Sequence, residues 1–238
     1  MNFRVRVPEY GVKNEVKILC VSDEVDLLVY SQSIRERFAD IDLVLSAGDL
    51  PDEYLEFITG MLNRPLFSVA GNHDGDDSRQ ARKSASICYQ TELEGASRHA
   101  FGRLSFSIGH ESGISVLGIP GSMRYNKGPN QFSEAAMRIR LLALIPRLLA
   151  RRLIKGRSVD IILAHSPPKG IHDAQDMAHR GFSSFLWLIR LARPLYFLHG
   201  HVHLYDLQAL REMSLGATRV VNVYGHEIVT IQKGKTRD

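Results

Sequence analysis

Leu195-Tyr196-Phe197-Leu198-His199-Gly200-His201-Val202-His203 is a short apolar run that ends in a glycine and two further imidazoles. Such a run fits a strand buried on both faces, and the glycine permits a tight turn at the strand's end. Two histidines on that turn can reach two metal ions from one backbone segment. Alone, the tetrapeptide specifies little, since loop histidines are mostly ordinary polar residues. Four other segments repeat the arrangement. Asp23 follows Ile18-Leu19-Cys20-Val21-Ser22, and Gly48-Asp49 follows Leu43-Val44-Leu45-Ser46-Ala47. Gly71-Asn72-His73-Asp74 follows Leu66-Phe67-Ser68-Val69-Ala70, and His165 follows Ile161-Ile162-Leu163-Ala164. Five strand-then-ligand units in one chain point to a metal centre at the strands' C-terminal ends, where open α/β sheets place their sites.

The segments between these units read as helices. Residues 31–39 form one, with Ser31 or Ser33 as its N-cap, and Pro51-Asp52-Glu53 opens another. This β-α-β-α-β order predicts parallel strands. Residues 3–7 alternate apolar and charged side chains, as in a short edge strand. Residues 74–102 are polar and patternless apart from a helical pattern at 79–87, and read as a substrate-facing insertion. Residues 104–108 and 114–119 form a hairpin, followed by a long Gly/Pro loop at 120–129 that carries Arg124. From Ser133 a helical stretch runs to Lys155, which Pro146 is expected to kink or divide. It carries Arg138, Arg140, Arg147, Arg151, Arg152 and Lys155 among many leucines. We read it as a packed helix whose arginine stems cover its edges, in preference to a basic helix for an anionic membrane or nucleic acid. A loop at 167–176, a helix at 182–191 and strands at 204–210, 219–223 and 227–231 complete the chain. Repeats, low-complexity segments and linkers are absent, so residues 1–238 read as a single domain.

Composition narrows the class. The 238 residues are 44% hydrophobic and 24% charged, ordinary for a soluble globular protein and enough for a substantial core. Two cysteines, Cys20 and Cys88, exclude a disulfide framework. The first residues lack the apolar core of a signal peptide and no run reaches transmembrane length, so the cytoplasm is the expected compartment. A net charge of +4 suits anionic substrates without demanding nucleic acid. The aromatic-basic interleaving of single-strand binders is missing.

In order, the motifs D-x-H, G-D, G-N-H-D/E, H and G-H-x-H make the chain resemble the calcineurin-like metallophosphoesterase superfamily from about Ile18 to Val223. One position departs: Asp23-Glu24-Val25 has valine where the superfamily has the histidine of D-x-H. The resemblance implies an α/β fold, a four-layer α/β/β/α sandwich of two mixed sheets flanked by helices. It implies two divalent cations, Mn, Fe or Zn, about 3.5–4 Å apart, that activate a hydroxide and clamp phosphoryl oxygens. One site would comprise Asp49, Asn72, His165 and His201. The other would comprise Asp23, the bridging Asp49 and His203, and is expected to be partly occupied unless Asp26 replaces the missing ligand. His73 would act on the phosphoryl group or the leaving oxygen, with Asp74 orienting it. Arg180, with the N-terminus of the helix after it, and Arg124 are the candidates for substrate contact. His172 and His179 share the loop with Arg180, and His199 belongs to its strand and reads as structural or as a support behind the ligands. The implied activity is hydrolysis of a small phosphoester, a diester in preference to a monoester. A binding scaffold that has lost a ligand, and a nuclease, are the alternatives.

Overall fold

Continuous apolar runs become strands here because their alternate residues serve two different cores. A computed structural model describes residues 14–74, 101–205 and 209–232. In strand β1 (Glu15–Ser22), Val16, Ile18 and Cys20 face one apolar cluster while Leu19 and Val21 face another. In β9 (Ile161–Ala164), Ile161 and Leu163 join the first of these, and Ile162 and Ala164 a third. With a period of two, such a strand carries apolar residues at both odd and even positions along its buried stretch.

Two large mixed sheets result. The first has the order β13-β1-β2-β3-β4, with β2 at Leu43–Ser46, β3 at Leu66–Ser68, β4 at Phe101–Arg103 and β13 at Gly225–Gln232. Only β13 is antiparallel to its neighbour. The second has the order β11-β12-β10-β9-β6-β5, with β5 at Ser107–Glu111, β6 at Ile114–Ile119, β10 at Tyr196–His199, β11 at Glu212–Leu215 and β12 at Thr218–Asn222. Its four inner strands are parallel and its two edge strands antiparallel. A short parallel pair, β7 (Ser122–Met123) and β8 (Gln131–Phe132), lies apart from both.

The sheets face each other across a core that includes Ile18, Leu45, Val116, Leu163 and Leu198. Helices α1 (Ile34–Arg37) and α2 (Asp52–Leu62) cover the outer face of the first sheet through Ile34, Tyr54 and Ile58. Helices α3 (Glu134–Lys155) and α4 (Ser183–Ala192) cover the second through Met137, Leu141, Leu148, Phe185 and Leu188. The four-layer α/β/β/α arrangement is thus present. It brings the C-terminal ends of β1, β2, β3, β9 and β10 to one edge.

Several elements differ from the sequence reading. The first helix is a single turn, because the hydroxyls of Ser31 and Ser33 bond each other and Ser31 also reaches the Leu28 carbonyl, and Ser33 makes no side-chain cap. Pro146 does not divide α3, which continues through it for 22 residues. Pro146 sits on the solvent side, where the Leu142 carbonyl that loses its donor is reachable by water. Of the strand expected at 204–210, residues 204, 205, 209 and 210 are not in a strand and 206–208 lie outside the described residues; the next strand is β11. Strands β11 and β12 extend the second sheet, while β13 crosses back to β1. The edge strand expected at 3–7, the helical pattern at 79–87, Cys88 and His99 lie outside the described residues.

Glu134 joins the two helices of the outer layer. Its carboxylate accepts from the backbone N–H groups of Ser183 (3.0 Å) and Ser184 (2.8 Å), capping the start of α4. Losing such an acceptor costs about 1–2 kcal/mol. Glu134→Ala is therefore expected to lower the thermal unfolding midpoint by roughly 2–8 °C. An unchanged midpoint in a calorimetric scan would show that the cap contributes nothing.

Candidate metal centre

The ligand-bearing turns are drawn together by backbone contacts that cross from strand to strand. Asp23 N–H donates to the Gly48 carbonyl (3.1 Å), and Gly200 N–H to the His165 carbonyl (3.0 Å). His201 N–H donates to Asp23 Oδ2 and His73 N–H to Asp49 Oδ1, each at 2.8 Å. Asp23, Asp49 and His201 all have positive φ, at 64°, 56° and 68°. Left-handed backbone costs an L-residue on the order of 1 kcal/mol, and it collects at sites where the surroundings over-determine the chain.

Two glycines allow this closeness. A side-chain carbon on Gly71 would overlap the Asp49 carboxylate, and one on Gly200 would overlap Asp23 and Ser22. The glycines of the G-N-H-D and G-H-x-H stretches thus make room for the acids of the neighbouring turns.

The four side chains expected at the first site converge. His165 Nε2 lies 2.9 Å from Asn72 Oδ1 and 3.3 Å from Asp49 Oδ2. The ligand atoms of Asp49, His165 and His201 lie within 4.8 Å of one another. Each is held from behind. His165 Nδ1 donates to the Ala47 carbonyl at 2.7 Å, and His201 Nε2 to the Ala178 carbonyl at 2.7 Å. That leaves a lone pair on Nε2 of His165 and on Nδ1 of His201 when the rings are neutral. Asn72 Nδ2 donates to the Tyr125 hydroxyl at 3.1 Å, which turns Oδ1 toward the group. One carboxylate, one amide oxygen and two imidazoles therefore point lone pairs at a common point, an arrangement that repels unless positive charge sits between them.

Titration behaviour points the same way. Burial opposes charge on His165, yet its hydrogen bond to Asp49 and the charges of Asp23 and Asp49 raise its pKa to about 9. Burial and the charge of His165 push His201 down to about 3. Burial raises the pKa of Asp23, whereas at Asp49 burial is outweighed by the hydrogen bond and charge of His165, and the net shift is down. The pocket favours one positive charge at its centre. The residues present fit a bound cation.

Other expected site residues stand around this group. Asp23 adjoins it through the His201 amide, but His203 is exposed, its Nδ1 bonded to the Tyr205 hydroxyl at 2.9 Å and its ring 4.8 Å from that of Tyr224. Val25 packs against the apolar cluster beneath α1 and α2. Asp26 is not turned toward the site: its Oδ2 meets His226 Nδ1 at 2.5 Å and its Oδ1 accepts from Leu28 N–H at 2.8 Å. To replace the missing histidine, Asp26 would have to leave both of these bonds. His73 is exposed and lines a cleft with Asp49, Asp52, Asp74 and Arg103. Asp74 accepts from Gly71 N–H at 2.7 Å, so it orders the turn and not the His73 ring.

Of the substrate candidates, Arg180 is exposed and Arg124 donates to the Gln131 carbonyl at 3.3 Å. The helix N-terminus expected to assist Arg180 is already taken by Glu134. Sequence reasoning missed Arg103, which belongs to no motif and reaches the cleft only because β4 pairs with β3. It also assigned no role to Tyr125, or to His179, whose ring lies 5.2 Å from that of His201 while Asp176 holds its Nδ1 at 3.0 Å. His199 is fully buried and bonded to His172 at 3.0 Å.

Comparison with known proteins agrees with this geometry. No curated protein matches the chain in sequence. Two solved structures share the fold, and at their low identities the likeness concerns the fold alone. One crystal structure superposes with a TM-score of 0.61 at 14% identity, covering 92% of this chain and 100% of the other. The protein TT1561 of Thermus thermophilus superposes with a TM-score of 0.59 at 15% identity, covering 92% of this chain and 99% of the other. The sequence profile of the calcineurin-like phosphoesterases matches residues 16–205, most of the chain, and the chain belongs to that family.

Proposed function

We propose that the protein hydrolyses a phosphate ester with divalent cations held at this edge of the sandwich. The observation that carries the reading is the convergence of Asp49, Asn72, His165 and His201 on one point. The donor set suits Mn, Fe or Zn. Those four side chains make the tighter site; Asp23 and His203, bridged through Asp49, make a second and weaker one. A bound cation there supplies a Lewis acid for the phosphoryl oxygen and lowers the pKa of a water.

The chain's own groups do the rest. The Asp49 carboxylate, gripped by the His73 amide, fixes the turn that carries His73 into the cleft. From that position His73 hands a proton to the leaving oxygen as the P–O bond breaks. Arg103 faces the same cleft, paired with Asp52 at 3.3 Å, and meets the phosphate's remaining charge by exchanging that carboxylate for a phosphoryl oxygen. Asp74 also lines it, and its carboxylate repels a monoester carrying two negative charges more than a diester carrying one. This supports a diester as the preferred substrate.

A second reading, a scaffold that keeps the fold without turnover, is favoured by Val25 in the apolar cluster and by an exposed His203 whose Nδ1 is engaged by the Tyr205 hydroxyl. The same assay separates the two. Purified protein with added Mn is expected to hydrolyse bis-p-nitrophenyl phosphate with higher kcat/KM than p-nitrophenyl phosphate. Asp49→Ala is expected to lose both bound metal and turnover; two metals per chain in that variant would remove Asp49 from the bridging role. His73→Ala is expected to lower kcat by roughly 10²–10⁴ with metal content unchanged. No turnover of either ester by metal-loaded protein would favour the scaffold.

A further inference from the structure

Helix α3 is apolar on two opposite faces. Met137, Leu141 and Leu148 are fully buried against the second sheet, as an outer-layer helix requires. Such a helix normally turns charged side chains to water on its other side. The outward face of α3 instead presents Ile139, Leu142, Leu149, Leu153 and Ile154, with Ile139 at 68%, Leu153 at 88% and Ile154 at 82% exposure. The outward positions between them are Ala143, Pro146 and Ala150, all exposed and none charged. From Ile139 to Ile154 the stripe runs about 24 Å along the 22-residue helix. By contrast, α2 turns Asp52, Glu53 and Glu56 outward.

Cations border the stripe. At 100° per residue, Arg138 and Arg152 fall on one edge and Arg140, Arg147 and Arg151 on the other. Three of these heads are held in place by the fold. Arg151 donates to the Ser158 carbonyl at 2.7 Å and Arg152 to the Leu191 carbonyl at 3.1 Å, while Arg140 lies over the rings of Phe106 and Phe132. Arg138 and Arg147 are exposed. The helix's one acid, Glu134, is committed to capping α4.

We propose that the outward face of α3 is a docking surface for an anionic lipid bilayer, with the apolar stripe entering the interface and the arginine edges meeting headgroup phosphates. An apolar stripe flanked on both sides by basic residues is the pattern of helices that lie in the plane of a membrane interface. No described helix is long and apolar enough to cross a membrane, so the helix lies on the bilayer. A second copy is a poorer occupant, because a two-fold pairing of α3 with itself sets arginine rows against arginine rows. A nucleic acid would engage the arginines and leave the leucines in water. The proposal stands apart from the phosphoesterase reading, since none of these side chains belongs to the metal centre.

Co-sedimentation of the whole protein with vesicles tests it, using phosphatidylcholine alone and phosphatidylcholine with added phosphatidylglycerol. The wild type is expected to pellet with the anionic vesicles and not with the neutral ones. Leu142→Ser combined with Leu153→Ser, and separately Arg138→Gln combined with Arg147→Gln, are each expected to weaken partitioning about tenfold or more. All four positions are exposed, and an unchanged unfolding midpoint verifies that each variant is folded. Should the leucine pair lower that midpoint, Ile154→Ser alone carries the test. Wild-type protein that stays in the supernatant, or folded apolar variants that pellet as the wild type does, would overturn the proposal. So would a wild-type dimer in sedimentation velocity that the apolar variants dissolve, which assigns the face to a second copy.

Discussion

The hydrogen bond from His165 Nδ1 to the Ala47 carbonyl spans the two sheets at 2.7 Å. His165 ends β9 of the second sheet, and Ala47 follows β2 of the first. Because Nδ1–H donates to that carbonyl, Nε2 faces Asn72 and Asp49. One bond therefore sets both the approach of the sheet edges and the chemistry of the nitrogen between them. It survives because it is fully buried, where an unmade hydrogen bond costs about 1–3 kcal/mol.

Holding the edges that close has a cost. Three residues, Asp23, Asp49 and His201, adopt left-handed backbone, and two carboxylates lie within reach of each other's charge. Together these amount to several kcal/mol of local destabilisation, by order of magnitude. The offset comes from the core between the sheets, where Ile18, Leu45, Val116, Leu163 and Leu198 are all fully buried. Each such side chain contributes roughly 1.5–3 kcal/mol relative to exposure. A rigid scaffold with a strained edge is the expected division of labour between packing and chemistry.

What could be read from the sequence follows from which interactions are local. The strands that carry Asp23, Asp49, Asn72, His165 and His201 announce themselves as apolar runs, because each serves two cores. The motifs announce themselves because a glycine must stand where a neighbouring acid comes close. Pro146 misled because the cost of a helix proline depends on whether the freed carbonyl faces water, which is a tertiary fact. The partner of Asp26 was not legible for a similar reason: His226 is 200 residues away and becomes adjacent only when β13 returns to β1. Arg103 carries no local signal, since strand pairing alone brings it to the cleft. The outward face of α3 was visible as a run of leucines among arginines, but a helical wheel could not say how many apolar faces the fold would bury.

The lone pairs of Asp49, Asn72, His165 and His201 are arranged for a cation, and the most direct test is the thermal unfolding midpoint of chelator-treated protein as Mn is added back. A cation that binds only the folded chain raises stability by about 2.7 kcal/mol at a hundredfold excess over Kd, or roughly 5–11 °C for a chain of this size. A saturable rise of that order is expected, abolished by His165→Ala. A midpoint that ignores Mn, Fe and Zn alike would contradict it.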